Sequence, residues 1–239
     1  MTAVGGDSSG DANPAYAAFH KPRFEFLLNL VRDQAKGRAR ILDVGPSPLT
    51  AKLRAALPSP VDSLGLEPDD AGPRGRHYHF DLNDTQYPDR CRRDLGGYDL
   101  VVFAEVLEHL YTAPELVLSY LAGLLAPSGL LLLQTPNAVS LRKRIKLALG
   151  RNPFERIRVD RSNPGHFREY TRAELTELLE RSGLRVRRSW MRFYFDARFA
   201  RHELGTEPPN HLRGTLTNVI NKLLPDPLRE GITLLAERV

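Results

Sequence analysis

Short aliphatic runs separated by stretches of helical periodicity do most to limit what this chain can become. Runs at 39–45, 61–67, 76–82, 98–103, 130–135, 184–190 and 231–239 read as seven strands, each bounded by Gly, Pro or acidic residues. Helical patterning fills most of the gaps between them. Residues 15–36 carry Phe19, Phe26, Leu27, Leu30 and Val31 at helical spacing. Ser47 is a good N-cap with Pro48 at the first helical position, and 49–57 continues as helix. Residues 113–125 form another helix, and Thr171-Arg-Ala-Glu174 is a capping box for one running to Arg181 with Gly183 as its stop. Strands alternating with helices define an α/β fold around a largely parallel sheet.

Composition narrows the setting. With 239 residues, 41% hydrophobic and 26% charged, the chain suits one large globular domain. Residues 1–13, rich in Gly, Ser, Asp and Ala, lack the apolar segment of a signal peptide and are expected to be a disordered tail. The domain is then 14–239, with a helical arm at its start and insertions near 138–167 and 191–230. These insertions follow late strands, where open α/β sheets place ligand-binding loops. A single cysteine, Cys91, excludes an intrachain disulfide and fits a reducing compartment, the cytoplasm. The apolar stretch 121–133 is broken by Pro127-Ser-Gly129 and reads as helix, turn and strand rather than a membrane span. A net charge of +5 favours anionic partners such as a nucleotide-sugar, a phosphorylated lipid head group or RNA.

Chemistry-bearing residues gather where strands end. Asp43, Glu67 and Asp81 follow the first three strands in order, with Gly45 beside the first. An acid after the second strand accepts hydrogen bonds from ribose hydroxyls, and one after the third accepts from an adenine amine. The loop Asp43-Val-Gly-Pro-Ser-Pro48 has one glycine where a dinucleotide binder carries three, which argues against NAD or FAD. After the fourth strand come Glu105, Glu108 and His109. If the chain turns helical at 104, these lie at i, i+3 and i+4 on one face, a spacing that can hold a divalent metal.

These motifs together resemble the class I S-adenosylmethionine-dependent methyltransferases. The resemblance covers about 39–183 and rests on Ile41-Leu-Asp-Val-Gly45, Leu66-Glu67, Phe80-Asp-Leu-Asn83, Phe103-Ala-Glu-Val-Leu-Glu-His109, Leu125-Ala-Pro-Ser-Gly129 and Gln134-Thr-Pro-Asn137. It implies a Rossmann-like, seven-stranded, mostly parallel sheet with helices on both faces and an antiparallel last strand. It also implies that Asp43 and Gly45 line the methionine end of S-adenosyl-L-methionine, that Glu67 holds the ribose, and that Asp81 with the Leu82 backbone frames adenine. Glu105 closes the same pocket. Pro46 and Pro48 stand where the family carries glycine or small residues, and neither offers an amide donor. Ser47 between them is expected to serve the cofactor's amino-acid end.

The pattern Glu105-x-x-Glu108-His109 resembles the metal motif of quinone-biosynthesis O-methyltransferases and of small-RNA 3′-terminal 2′-O-methyltransferases. In the latter a further ligand is a histidine downstream of Thr-Pro-Asn, which maps onto His166. Thr-Pro-Asn followed by His166-Phe-Arg-Glu-Tyr-Thr171 is also similar to bacterial methyltransferases of glycan and natural-product pathways. The implied metal ligands are Glu105, Glu108, His109 and His166, with Mg²⁺, Mn²⁺ or Zn²⁺ as the ion. Glu108, His109 and His166 are the expected catalytic residues, either histidine serving as general base if no metal is used. The implied reaction is O-methylation of a sugar or glycosylated metabolite bearing neighbouring hydroxyls. An RNA ribose, a quinone or catechol, and a non-catalytic cofactor-binding role are the alternatives. Leu141, Ile145 and Leu149 share a helical face beside Arg142, Lys143, Arg144 and Lys146, a pattern suited to an anionic membrane surface. The aromatic group Trp190, Phe193, Tyr194 and Phe195 reads either as an acceptor pocket or as core.

Overall fold

A computed structural model describes residues 14–35, 40–66, 68–69, 72–160, 164–200 and 208–239. The tail at 1–13 and Glu67 lie outside the described residues. The chain begins with a long helix, α1 (Pro14–Gln34), and then alternates β1 (Ile41–Val44), α2 (Pro48–Ala56), β2 (Val61–Gly65), β3 (His77–His79) and β4 (Tyr98–Ala104). There follow α3 (Pro114–Leu124), β5 (Leu125–Pro136), α4 (Leu141–Ala148), α5 (Arg172–Arg181), β6 (Leu184–Arg192), α6 (His211–Leu223) and β7 (Gly231–Arg238).

The strands form one sheet in the order β3-β2-β1-β4-β5-β7-β6. The first five run parallel, and β7 lies antiparallel between β5 and β6. Burial follows from the two-residue period of a strand. In β4 and β5, Leu100, Val102, Leu130 and Leu132 face one layer, while Val101, Phe103, Leu131 and Leu133 face the other. Phe24, Leu27 and Val31 of α1 and Leu49 and Leu53 of α2 cover the first layer. Val117, Leu118 and Leu121 of α3 with Leu175 and Leu179 of α5 cover the second. Strands apolar on both faces therefore carry helices on both faces, as the sequence predicts.

Element ends obey local chemistry. Ser47 caps α2 and Thr171 caps α5 through a full capping box, and Gly183 takes φ +76° just beyond α5. Two expectations need correction. Pro127-Ser-Gly129 is not a break before the fifth strand: β5 begins at Leu125, and the register with β4 shifts between Tyr98 and Leu100, with Ser128 at φ +60°. The segment after β4 is not an α-helix. Glu105 adopts φ +58°, only Leu107–His109 form a single 3₁₀ turn, and the next α-helix starts at Pro114. The left-handed residue turns the chain sharply at the strand end, so the i, i+3, i+4 geometry never forms.

A buried ionic tie secures the β2 edge. The Arg54 guanidinium donates to both Asp69 oxygens at 2.9 and 2.7 Å and to the Val61 carbonyl at 3.0 Å. Ser63 shares Asp69 and lies 3.1 Å from His77 Nδ1, which gives His77 a structural role. Arg54→Met leaves Asp69 and Ser63 without their donor, and we expect it to lower unfolding free energy by about 3 kcal/mol. The check is a urea midpoint that falls with an unchanged slope.

Candidate active site

The strand order reverses between β1 and β4, and it is outside the carboxyl ends of the strands at such a reversal that open α/β sheets bind ligands. Gly45 has φ +80°, and a Cβ there would lie 2.4 Å from Val106 Cγ2. A Cβ on Gly65 would lie 2.6 Å from Pro46 Cδ. The loops after β1, β2 and β4 thus pack backbone against side chain with no room for another carbon.

Asp43 ends β1 almost fully buried, and its Oδ2 accepts from Thr50 Oγ1 at 2.6 Å. Burial raises its pKa to about 7, against the pull of the Thr50 hydrogen bond and of Arg54. Thr50 Oγ1 in turn accepts from the Ser47 N–H at 2.9 Å, and Ser47 Oγ accepts from the Leu49 N–H at 3.2 Å. The Gly45 N–H donates to the Leu64 carbonyl at 2.8 Å. Pro46 and Pro48 have no N–H. Every amide from Gly45 to Thr50 is therefore satisfied internally, and Ser47 offers a ligand only its hydroxyl hydrogen. Asp81 caps the 3₁₀ turn Leu82–Gln86, its Oδ1 accepting from the Asn83 N–H and Nδ2, while Leu82 is buried. Asn83 Oδ1 accepts from the Tyr111 and Thr112 N–H groups, tying the loop after β3 to the one after β4.

The second half of the site lies on the 3₁₀ turn. Among the described residues, Glu108, His109 and His166 bring one ligand atom each to within 4.8 Å of one another. Glu105 does not join them. Its carboxylate lies 3.7 Å from Arg23 Nη1 of α1, so the left-handed turn directs it toward the helical arm, a correction to the four-ligand expectation. Glu108 is fully buried; Oε2 accepts from Thr135 Oγ1 at 2.9 Å, and Oε1 is buried without a hydrogen-bond partner. Its pKa is raised well above the usual range, first by burial and then by Glu105. The Glu108 carbonyl accepts from the N–H groups of Phe167 and Arg168, which lays the segment bearing His166 across the turn.

Both histidines are oriented through Nδ1. His109 Nδ1 lies 3.1 Å from the Gly165 carbonyl and must donate to it. His166 Nδ1 lies 3.2 Å from Glu169 Oε1, and Glu169 is paired with Lys143. Each ring thereby presents Nε2 as a neutral lone pair. Burial lowers both pKa values, that of His166 to about 4. The rings meet edge to face at 4.8 Å.

The sequence reading missed Arg23, Thr50, Thr135, Lys143 and Glu169. Glu169, three residues from His166 as a histidine orienter would be, was the most recoverable. Tyr194 belongs to the core, its hydroxyl 2.5 Å from Thr233 Oγ1. Trp190, Phe193 and Phe195 line a groove of about 750 Å³ that also includes Phe26 of α1.

A methyltransferase-domain family model matches residues 16–189, three quarters of the chain and all but one of its strands. The chain belongs to the S-adenosylmethionine-dependent methyltransferases. A protein of Mycolicibacterium smegmatis named a probable S-adenosylmethionine-dependent methyltransferase is 35% identical over 132 residues, 52% of this chain and 43% of that protein. This methyltransferase thus spans less than half the length of that relative. A methyltransferase from Archaeoglobus fulgidus superposes with TM-score 0.55 at 18% identity, covering 92% of this chain and 97% of that one. Magnesium protoporphyrin IX methyltransferase from Synechocystis, with bound S-adenosylhomocysteine, gives TM-score 0.55 at 15% identity over 95% and 88% of the two chains. These two likenesses establish the fold. Among the described residues no helix is long and apolar enough to cross a membrane.

The raised pKa of Asp43 carries a pH signature. Its folded value near 7 exceeds the unfolded 3.8, so the folded state holds a proton that the unfolded chain releases between those values. Its contribution to stability therefore declines as pH rises from 3.8 to about 7 and stays low above that. Asp43→Asn keeps the Thr50 acceptor without the charge. Thermal melts are expected to agree near pH 4, to favour the variant increasingly up to about pH 7, and to hold that difference above it.

Proposed function

We propose that this methyltransferase transfers the methyl group of S-adenosyl-L-methionine to a hydroxyl oxygen of a sugar, glycan or glycosylated metabolite carrying neighbouring hydroxyls. The observation that carries the reading is the Glu108–His109–His166 group just past the carboxyl end of β4, with two oriented Nε2 lone pairs and one unsatisfied buried carboxylate oxygen. Asp43, Gly45 and Asp81 are the proposed cofactor contacts, with Glu67 for the ribose. The satisfied amides of the first loop suit a ligand lacking a pyrophosphate.

In the transfer, the hydroxyl oxygen forms a bond to the methyl carbon as the carbon–sulfur bond breaks, and the pair returns to the sulfonium sulfur. The hydroxyl proton must leave as attack proceeds. Either neutral histidine can accept it at Nε2. Glu108, His109 and His166 also fit a divalent ion: mixed oxygen and nitrogen donors, the carboxylate buried and the imidazoles half-buried, with Gly165 and Glu169 fixing the imidazoles from behind. The chemistry supplied by a bound ion is Lewis acidity, which lowers the pKa of the acceptor hydroxyl.

Calorimetric titration with S-adenosyl-L-methionine should show saturable binding, and its absence would overturn the methyl-transfer reading. For the ion, Mn²⁺ titration followed by electron paramagnetic resonance is expected to report one site. Glu108→Gln and His166→Ala should weaken it markedly, and Glu169→Gln by about 10–100-fold. Turnover on a vicinal-diol acceptor should fall with chelator and return with Mg²⁺ or Mn²⁺. Chelator-insensitive turnover with no Mn²⁺ binding would leave the histidines as general bases and remove the ion.

A further inference from the structure

Helix α6 is built inside out. Its protein-facing side is Gly214, where a Cβ would sit 2.3 Å from the Arg198 backbone, and Asn218, whose amide bonds the Asp196 side chain and the Ala197 N–H. The opposite side carries Leu212, Leu216, Val219, Ile220 and Leu223, with Leu212 88%, Leu216 61% and Leu223 79% exposed. Spacing of four, three, one and three residues puts them on one stripe. An ordinary surface helix has the reverse polarity, and an aliphatic stripe of this size marks an interaction surface.

The second element is α4 and its exit. None of its residues is buried, and Ile145, Leu147 and Leu149 are more than half exposed among Arg142, Arg144 and Lys146. The sheet brings the connections of the two elements to the same end of the strands. Pro136 at the end of β5 pairs with Gly231 at the start of β7, so α4 leaves and α6 arrives at the same end. Asn137 fastens the two connections together, its Nδ2 donating to the Pro227 and Arg229 carbonyls.

Charge decides what covers this surface. Besides Lys143, which is paired with Glu169, the two helices hold Arg142, Arg144, Lys146, Arg213 and Lys222 and no acidic residue. A second copy on a two-fold axis would set this cationic patch against itself. A polyanion such as RNA satisfies the cations but not the aliphatic stripe. We infer that α4 and α6 dock this methyltransferase peripherally on an anionic lipid surface, the aliphatic side chains entering the head-group boundary among cations that meet phosphates. Lys143, on the inner side of α4, pairs with the glutamate beside His166, so the docking helix adjoins the site proposed above. This surface stands on its own observations and does not depend on the metal or on the acceptor proposed above.

The test is flotation of the full chain with vesicles of phosphatidylcholine alone and of phosphatidylcholine with phosphatidylglycerol. The protein should float only with the anionic vesicles, less as salt is raised. Two variants, Leu216→Glu/Ile220→Glu and Arg142→Glu/Arg213→Glu, are each expected to reduce partitioning by about tenfold or more. Both alter exposed positions, so circular dichroism and S-adenosyl-L-methionine binding should stay unchanged. Three results would overturn the inference: no flotation with anionic vesicles, flotation equal in both variants and the parent, or a dimer in light scattering that Leu216→Glu/Ile220→Glu dissociates. Retention on single-stranded RNA without vesicle binding would assign the surface to nucleic acid instead.

Discussion

The reversal of strand order between β1 and β4 is the constraint from which the rest of the site follows. From β1 the chain passes outward to β2 and β3, and from β4 it passes the other way to β5. Loops that diverge from neighbouring strands leave a crevice between them. Here Gly45 lies close against Val106, and the Glu105 N–H donates to the Gln134 carbonyl at 2.8 Å, which ties the loop after β4 to β5. Because β4 and β5 are adjacent, Glu108 on the loop after β4 reaches Thr135 on β5, and the 3₁₀ turn is tied to the middle of the sheet.

The polar groups at this edge are held against the hydrophobic effect. Glu108 is sealed with one oxygen unsatisfied, and Asp43 is buried on a single side-chain donor. Their burial is destabilising by itself. The two apolar layers on either side of the sheet carry that cost, and the concentration of unfavourable groups in one place is the signature of a site rather than of a scaffold.

The fold was readable because strands buried on both faces announce themselves as aliphatic runs, and because the caps at Ser47 and Thr171 and the stop at Gly183 are local chemistry. The stretch after β4 was misread for an equally physical reason. Val106, Leu107 and Leu110 follow Phe103 at spacings that suit a helix, but nothing local reveals that Glu105 turns left-handed. That one dihedral leaves Glu105 outside the Glu108–His109–His166 group and sets it beside Arg23, which lies 82 positions earlier in the chain. Glu108, His109 and His166 were found as candidates, the first two by proximity and the third by resemblance. Their partners Thr135, Gly165 and Glu169 are tertiary neighbours that no periodicity encodes.

The saturated first loop has a consequence for what can compete at this site. A phosphate is held by convergent unpaired amides, and from Gly45 to Thr50 this chain has spent all of them on its own carbonyls and hydroxyls. The adjoining carboxylate, Asp43, further discourages an anion once it ionises. A nucleoside whose chain ends in phosphates would meet no donor there, whereas one whose 5′ substituent is cationic would meet no repulsion. In the cofactor site proposed above, the loop would discriminate against nucleotides chiefly by the donors it withholds, with Asp43 adding repulsion once ionised.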